Sequence, residues 1–438
     1  TESIAAYTND SGEFFVKHHD IRQKKMVEMR LGKITNLSSQ AQEYQAFMLK
    51  EYAEEMWRSR RSDSNFAGYI PFGQYTWFKR PFDKSPDGIK PKMIWDTYRK
   101  VMGPVHVQFE CWNRNIYYGA KLSGQLHLLH ENIHLPESAE FKVEISCDDK
   151  VLFEDILTVN YHHRLDLPIM VGPFNEIGSR KLKIKVFCEQ DPVAYNDLAF
   201  RVYPEAVYSS GNKNIVLYDP AASVKSALEA IGCKYYTKLR HIDEILALPS
   251  ESTVLLIGPY ALDKDTQFYT KSIQGWISKG GKVIVLEQNP GACSADVFNL
   301  RVGFVKKNQP YWSRWAANLV KHADRADILH PDHPVFAGLE EDDLRWWNGA
   351  SFLAHVYLDI MSADHDDCIL SRIGNGLADD ELMPVEYNYV ESGYSTMLME
   401  RRHGKGVVML SSILLGQKAA NDPVAAKRLV NLINYYKK

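Results

Sequence analysis

The chain lacks most of the features that assign a function at sight. Its six cysteines, Cys111, Cys147, Cys188, Cys233, Cys293 and Cys368, are scattered and none forms a CxxC pair, which removes the common zinc and thiol-redox spacings. Most lie in apolar, strand-like runs and read as free buried thiols; a sandwich would let Cys147 and Cys188 face each other. No apolar run approaches the roughly 20 residues of a membrane-spanning helix. The first residues, Thr1-Glu2-Ser3, are polar and carry no basic, apolar leader. The compartment therefore stays open: a soluble protein, cytoplasmic, or periplasmic or secreted if a signal lies upstream. Net charge is −3, too little to create a field that favours nucleic acid or an anionic membrane. No glycine-rich loop follows the first strand of the C-terminal region, where Asp219-Pro220 stands instead, so phosphate-loop chemistry has no support. His18-His19-Asp20 is a surface-loop pattern, because adjacent histidines on an extended chain point opposite ways. No metal and no cofactor is expected.

What is present is a chain of 438 residues, 12% of them aromatic, long enough for roughly two to four domains. The richest stretch is Gly68 to Val101. An apolar strand there runs into Tyr69, Phe72, Tyr75, Trp77 and Phe78. Crowded rings at a strand end suit a sugar floor, since the CH faces of carbohydrates stack on aromatic planes; for any one ring taken alone, closing a core is the commoner role. The turn Pro86-Asp87-Gly88 follows, and then a helix with Ile94, Tyr98 and Val101 on one side.

Before this stretch, Val27, Met29 and Leu31 alternate with Glu28 and Arg30, a strand with two unlike faces. Ser39 and Gln42 have capping-box spacing. Phe47, Met48, Tyr52 and Met56 then keep helical spacing, and Arg58 to Arg61 ends that helix with positive charge. Residues 24–101 are thus a βαβα unit.

From Pro104 the texture changes to short alternating strands: VHVQFE, SGQLHLLHEN, AEFKVEISCDD, VLFEDILTV, RKLKIKVFCEQ and LAFRVYP. That spacing predicts a β-sandwich of about one hundred residues. After the linker Ser209 to Lys213 come a buried strand, 214–218, a helix ending at Gly232, the strand TVLLI at 253–257, a helix over about 265–278, and the strand KVIVL at 282–286. Apolar strands alternating with helices predict a parallel doubly wound sheet. Gly404-Lys405-Gly406 turns into VVMLSSILL, and a helix from Pro423 to about Tyr435 ends the chain.

These pieces resemble the C-terminal part of family 2 glycoside hydrolases. The matching residues are Gly68-Tyr69-Ile70 with Gly88-Ile89-Lys90-Pro91, Leu129 to Asn132, and Asn196 to Pro204; His333 to Gly349 and Gly404 to Ser412 resemble amidotransferase-like domains appended to β-galactosidase-type enzymes. The resemblance implies a multidomain α/β plus all-β chain. Residues 1–102 would be the last strands and helices of a (β/α)8 barrel, 103–206 an immunoglobulin-like sandwich, and 207–438 a flavodoxin-like, amidotransferase-like domain. Two strands cannot close a barrel, so a missing barrel portion, on the same polypeptide or a second chain, is implied as partner. So are a carbohydrate substrate and a homo-oligomer.

The resemblance implies Glu28 as the glycosidase nucleophile, although Met29-Arg30 follow it where the family has an aromatic residue and glycine. A strand Glu paired with Arg or Lys is the competing reading. Phe72, Tyr75 and Trp77 would stack on sugar and Gln74 would donate a hydrogen bond. No Asn-Glu that could supply the acid precedes Glu28, so this chain alone is expected to be inactive. The other reading is a non-catalytic carbohydrate-binding or oligomerisation module. Cys293 lies beyond Pro290 and lacks a glycine-flanked elbow, so the last domain is expected to be inert as an amidotransferase.

Overall fold

Strands whose side chains alternate must bury one face, and from residue 105 to 203 they bury it against each other. The computed structural model describes residues 46, 50, 51, 53, 54, 93–209, 214–291, 293–306, 326–349, 353–360, 368–373 and 396–437. They fall into two compact units, one up to Pro204 and one from Glu205 onward.

The first unit holds α1 (Met93–Val101) and eight strands: β1 (Val105–Glu110), β2 (Asn115–Tyr117), β3 (Leu122–His130), β4 (Ser138–Cys147), β5 (Lys150–Asn160), β6 (His163–Val171), β7 (Gly178–Cys188) and β8 (Asp191–Tyr203). They form a three-stranded sheet, β1-β3-β6, and a five-stranded sheet, β2-β8-β7-β4-β5. Val107, Phe109, Leu126 and Leu128 of the first sheet share one core with Phe141, Val143, Ile184, Val186 and Phe200 of the second. This is the sandwich that the alternation predicts. Two strands were not legible. The three residues of β2 are too few to show a period, and β6 carries Pro168. Proline is tolerated there because β6 is an edge strand, paired only with β3. Cys147 and Cys188 are free thiols. They lie in one sheet, opposite Leu182 and Phe141 respectively, so they do not face each other across the sandwich.

The second unit begins with β9 (Asn214–Tyr218), α2 (Lys225–Ala230), β10 (Thr237–Leu239), β11 (Thr253–Ile257), α3 (Lys264–Gln267), α4 (Thr270–Ser278) and β12 (Lys282–Val285). It continues through β13 (Val302–Val305), β14 (Ala326–Ile328), β15 (Tyr357–Ile360), β16 (Cys368–Ile373), β17 (Thr396–His403) and β18 (Gly406–Ser411), and ends with α5 (Leu415–Lys418) and α6 (Pro423–Lys437).

One sheet runs β10-β9-β11-β12-β18-β17-β15-β13. Its first five strands are parallel, and β17, β15 and β13 join antiparallel. The sheet is therefore mixed, where a parallel one was predicted. The reason is local: β17 and β18 are a hairpin closed by Gly404, whose φ of 59° suits the turn, and a hairpin can only pair antiparallel. All five residues of β11 are buried, as a strand covered on both faces requires. Ile273, Trp276 and Ile277 of α4 pack on one face over Leu255, Ile257, Val283 and Val285, and α6 lies against β12. The single helix expected over 265–278 is two, α3 and α4, and α3 starts with a capping box on Asp263.

Candidate functional site

Glu28, Phe72, Gln74, Tyr75 and Trp77 lie outside the described residues, as do the segments expected to form barrel strands. Among the described residues, the place where an open α/β sheet presents chemistry is the carboxyl edge of its parallel strands. In the second unit that edge is Asp219 after β9, Gly258-Pro259 after β11, Glu287 after β12 and Ser412 after β18.

Asp219 is fully buried. Its carboxylate accepts the Ser223 hydroxyl at 2.8 Å and the Val224 amide at 2.9 Å. A phosphate at the first crossover would need those donors, and Asp219 already holds them with a like charge. The Asp-Pro sequence thus replaces a phosphate loop physically. Gly258 is required beside it, because a Cβ there would lie 2.7 Å from the Asp219 carboxyl carbon.

Glu287 is 1% exposed. Burial pushes its pKa up to about 8, against the opposing pull of its own amide and those of Leu415, Gly416 and Gln417. Neither carboxyl oxygen reaches hydrogen-bond geometry with a partner, so at neutral pH the neutral acid prevails. The Tyr260 amide donates to the Glu287 carbonyl at 2.9 Å. Tyr260 has φ of 58°, a left-handed conformation that costs a non-glycine residue on the order of 1 kcal/mol. Its hydroxyl accepts the Gln417 side-chain amide at 2.5 Å.

Gln288 ties the edge together. Its amide nitrogen donates to the carbonyls of Gly258 and Leu286, each at 2.9 Å, and its oxygen accepts the Leu262 amide at 2.9 Å. Space is tight as well: a Cβ on Gly416 would sit 2.2 Å from Pro259 and 3.2 Å from the Glu287 carboxyl. The arrangement is a closed, hydrogen-bonded strand edge around a neutral acid.

Cys293 does not enter it as a nucleophile. The Cys293 thiol donates to the Asp263 carbonyl, and the residue belongs to the apolar core. The next regular element is a one-turn 3₁₀ segment, Val297–Asn299. A nucleophile elbow needs a helix directly after its strand.

No family model matches the chain, and no curated protein matches it. Weak structural neighbours include glycosidases. A mutant of β-glucuronidase 2 from Bacteroides uniformis aligns with 45% of this chain and 25% of its own, at 8% identity and a TM-score of 0.17. The exo-β-D-glucosaminidase CsxA aligns with 44% of this chain and 23% of its own, at 10% identity and a TM-score of 0.18. A CARDB domain from Pyrococcus furiosus aligns with 23% of this chain and 87% of its own, at 8% identity and a TM-score of 0.20. The chain therefore spans about a quarter of the length of either glycosidase.

The first unit holds a second group of buried ionisable residues. Glu51 and Glu54 are 8% and 4% exposed. Glu51 meets Arg114, and Glu54 accepts the Asn196 amide at 2.5 Å while His106 Nε2 lies 3.8 Å from it. Burial raises the Glu54 pKa to about 7, with Lys50 opposing and Glu51 reinforcing the rise. On β3, His127 is held between two carboxylates: Nδ1 to Asp166 at 2.6 Å and Nε2 to Glu110 at 2.8 Å. Helical spacing placed Glu51 and Glu54 outside the apolar stripe, and nothing local marks them as buried. The readable signal was Glu287, a lone carboxylate directly after the apolar run Val283 to Leu286.

Proposed function

We propose that the chain is the C-terminal portion of a family 2-like retaining β-glycosidase, most like a β-galactosidase, with its general acid outside this chain. The observation that supports the reading most is the order of architectures. A two-sheet sandwich ending at Tyr203 is followed by a sheet whose five parallel strands run second, first, third, fourth, fifth. That strand order is the flavodoxin-like one. An immunoglobulin-like domain and then an amidotransferase-like domain is the succession that the sequence resemblance implies. The closed carboxyl edge around Asp219 and Glu287, with the Cys293 thiol engaged by a backbone carbonyl, supports an appended domain that keeps the fold and not the reaction.

On this reading Glu28 attacks the anomeric carbon and forms a glycosyl-enzyme. An acid from the missing barrel portion protonates the leaving oxygen, and water then releases the sugar with net retention. Phe72, Tyr75 and Trp77 form the floor on which the sugar stacks, and Gln74 holds a hydroxyl. The test is hydrolysis of aryl β-galactosides by the natural polypeptide together with whatever precedes Thr1. Turnover there, lost in Glu28→Gln and absent from residues 1–438 alone, is the expected result; loss of an acid/base costs about 10²–10⁴-fold. Turnover by the 438-residue chain itself, abolished by Glu28→Gln, would overturn the fragment reading. Sugar binding or self-association with no turnover in either preparation would favour a binding or assembly module.

A further inference from the structure

Three strands of the sandwich meet at one imidazole, in a feature independent of the glycosidase reading. The register sets His127 of β3 opposite Asp166 of β6 on one side and Gln108 of β1 on the other, and alternation puts Glu110 on the same face of β1 as Gln108. His127 Nδ1 lies 2.6 Å from Asp166 and Nε2 2.8 Å from Glu110. An ionised carboxylate only accepts hydrogen bonds, and a neutral imidazole has one N–H to give. Two such contacts on ionised carboxylates therefore need both ring protons, so the bridge holds an imidazolium. Burial opposes that charge, but the hydrogen bonds to Glu110 and Asp166 outweigh it and raise the His127 pKa. Among the described residues, the charged groups that face the ring are Glu110 of β1 and Asp166 and Arg164 of β6.

The two arms of the bridge are held differently. Asp166 is fixed a second time by Arg164, whose Nη2 donates to Oδ2 at 2.7 Å and whose Nε lies 2.7 Å from Oδ1. Glu110 has the longer side chain, and its other oxygen, Oε1, accepts the Trp112 indole N–H at 2.7 Å. Trp112 stands in the loop between β1 and β2 and is 40% exposed. When the imidazolium loses a proton, one ring nitrogen turns a lone pair towards a carboxylate oxygen, and the contact becomes repulsive. Asp166 is pinned by the guanidinium. The remaining proton therefore stays on Nδ1, and Glu110 is the arm that moves.

We propose that His127 is a proton-operated latch for Trp112. With the ring charged, Glu110 is drawn to Nε2 and its second oxygen orients the indole. With the ring neutral, Glu110 turns towards solvent and the indole N–H loses its fixed acceptor. The latch is closed below the folded pKa of His127, which lies above the ordinary 6.5, and opens as pH rises through it. A proton taken up or lost inside the sheet is thereby read out at an exposed aromatic side chain.

The experiment is NMR of the full chain across about pH 5–9, the range in which a histidine titrates. It follows the Trp112 indole N–H, assigned by its loss in Trp112→Phe, together with the His127 ring. The expected result is an indole resonance that moves with the same midpoint as the imidazole. In His127→Gln and in Glu110→Gln the indole resonance should stay fixed through that range. Glu110 is only half-buried, so Glu110→Gln carries the test even where His127→Gln does not fold. Two results would overturn the proposal: an indole resonance that stays still while His127 titrates, or one that moves in Glu110→Gln as it does in the unaltered chain.

Discussion

Arg114 and Glu51 meet with both side chains buried: Nη1 donates to Oε1 at 2.8 Å and Nη2 to Oε2 at 2.7 Å. The guanidinium is anchored a third time, Nε to the Cys111 carbonyl at 2.9 Å. The pair ties a helical position to the loop between β1 and β2. Its planar fork matches both carboxylate oxygens, a geometry that Lys could not reproduce.

Breaking that pair from one side should cost more than removing it. Glu51→Leu leaves a buried guanidinium without its counter-charge, and about 3–5 kcal/mol of stability should be lost. The double variant Glu51→Leu/Arg114→Met should regain most of it. Urea unfolding, read from the exchange-protected amides of β2 and β8, gives both values. Equal losses in the single and double variants would show that the charge pairing is not what matters.

Glu287 should make the second unit less stable as pH rises. Its folded pKa, about 8, lies above the ordinary 4.5, so the folded state holds the proton more tightly. The contribution is complete below about pH 4.5 and is lost as pH climbs towards about 8, at up to about 1.4 kcal/mol per pH unit. Glu287→Gln is neutral throughout. The difference in unfolding midpoint between the two proteins should therefore grow across that window in favour of the variant, and a constant difference would contradict the assignment.

His127 should lose its contribution in the same direction, and its carboxylate partners theirs in the opposite one. Burial disfavours its charge, but hydrogen bonds to Glu110 and Asp166 outweigh this and raise its pKa, while both carboxyls are held below their usual range. For Asp166, Arg164 adds to the depression. The bridge is complete between the lowered carboxyl pKa values and the raised imidazole one. Stability from His127 is full below its ordinary pKa of 6.5 and is lost as pH rises through the folded value. Stability from the carboxylates is lost as pH falls below the usual range. His127→Phe should cost about 1.5–3 kcal/mol near neutral pH, the worth of a charge-assisted hydrogen bond, and imidazole NMR titration reads the pKa directly.

Cys293 should react slowly. A thiol 9% exposed that donates to a backbone carbonyl lacks the access that alkylation needs. Iodoacetamide should label it more slowly than free cysteine at neutral pH. Faster, stoichiometric labelling would return it to the list of nucleophiles.

The sequence by itself determined the local grammar of both units. TVLLI and KVIVL are strands because a run that short and that apolar is stable only inside a sheet. Alternation in the strands other than β2 and β6 settled which of their side chains enter the sandwich core, and Gly232 and Gly404 marked the ends of a helix and of a strand because their backbones need positive φ. Partners were a different matter. Glu51 finds Arg114 63 residues away and Glu54 finds Asn196 142 residues away. Periodicity gives a side chain its direction and says nothing about what waits there, so two glutamates on a polar helix face became buried. The antiparallel half of the sheet, with β13 and β15 joined through β17, was hidden for the same reason. Direction is a property of neighbours in sequence, whereas burial, pKa and strand pairing depend on chain segments that only the fold brings together.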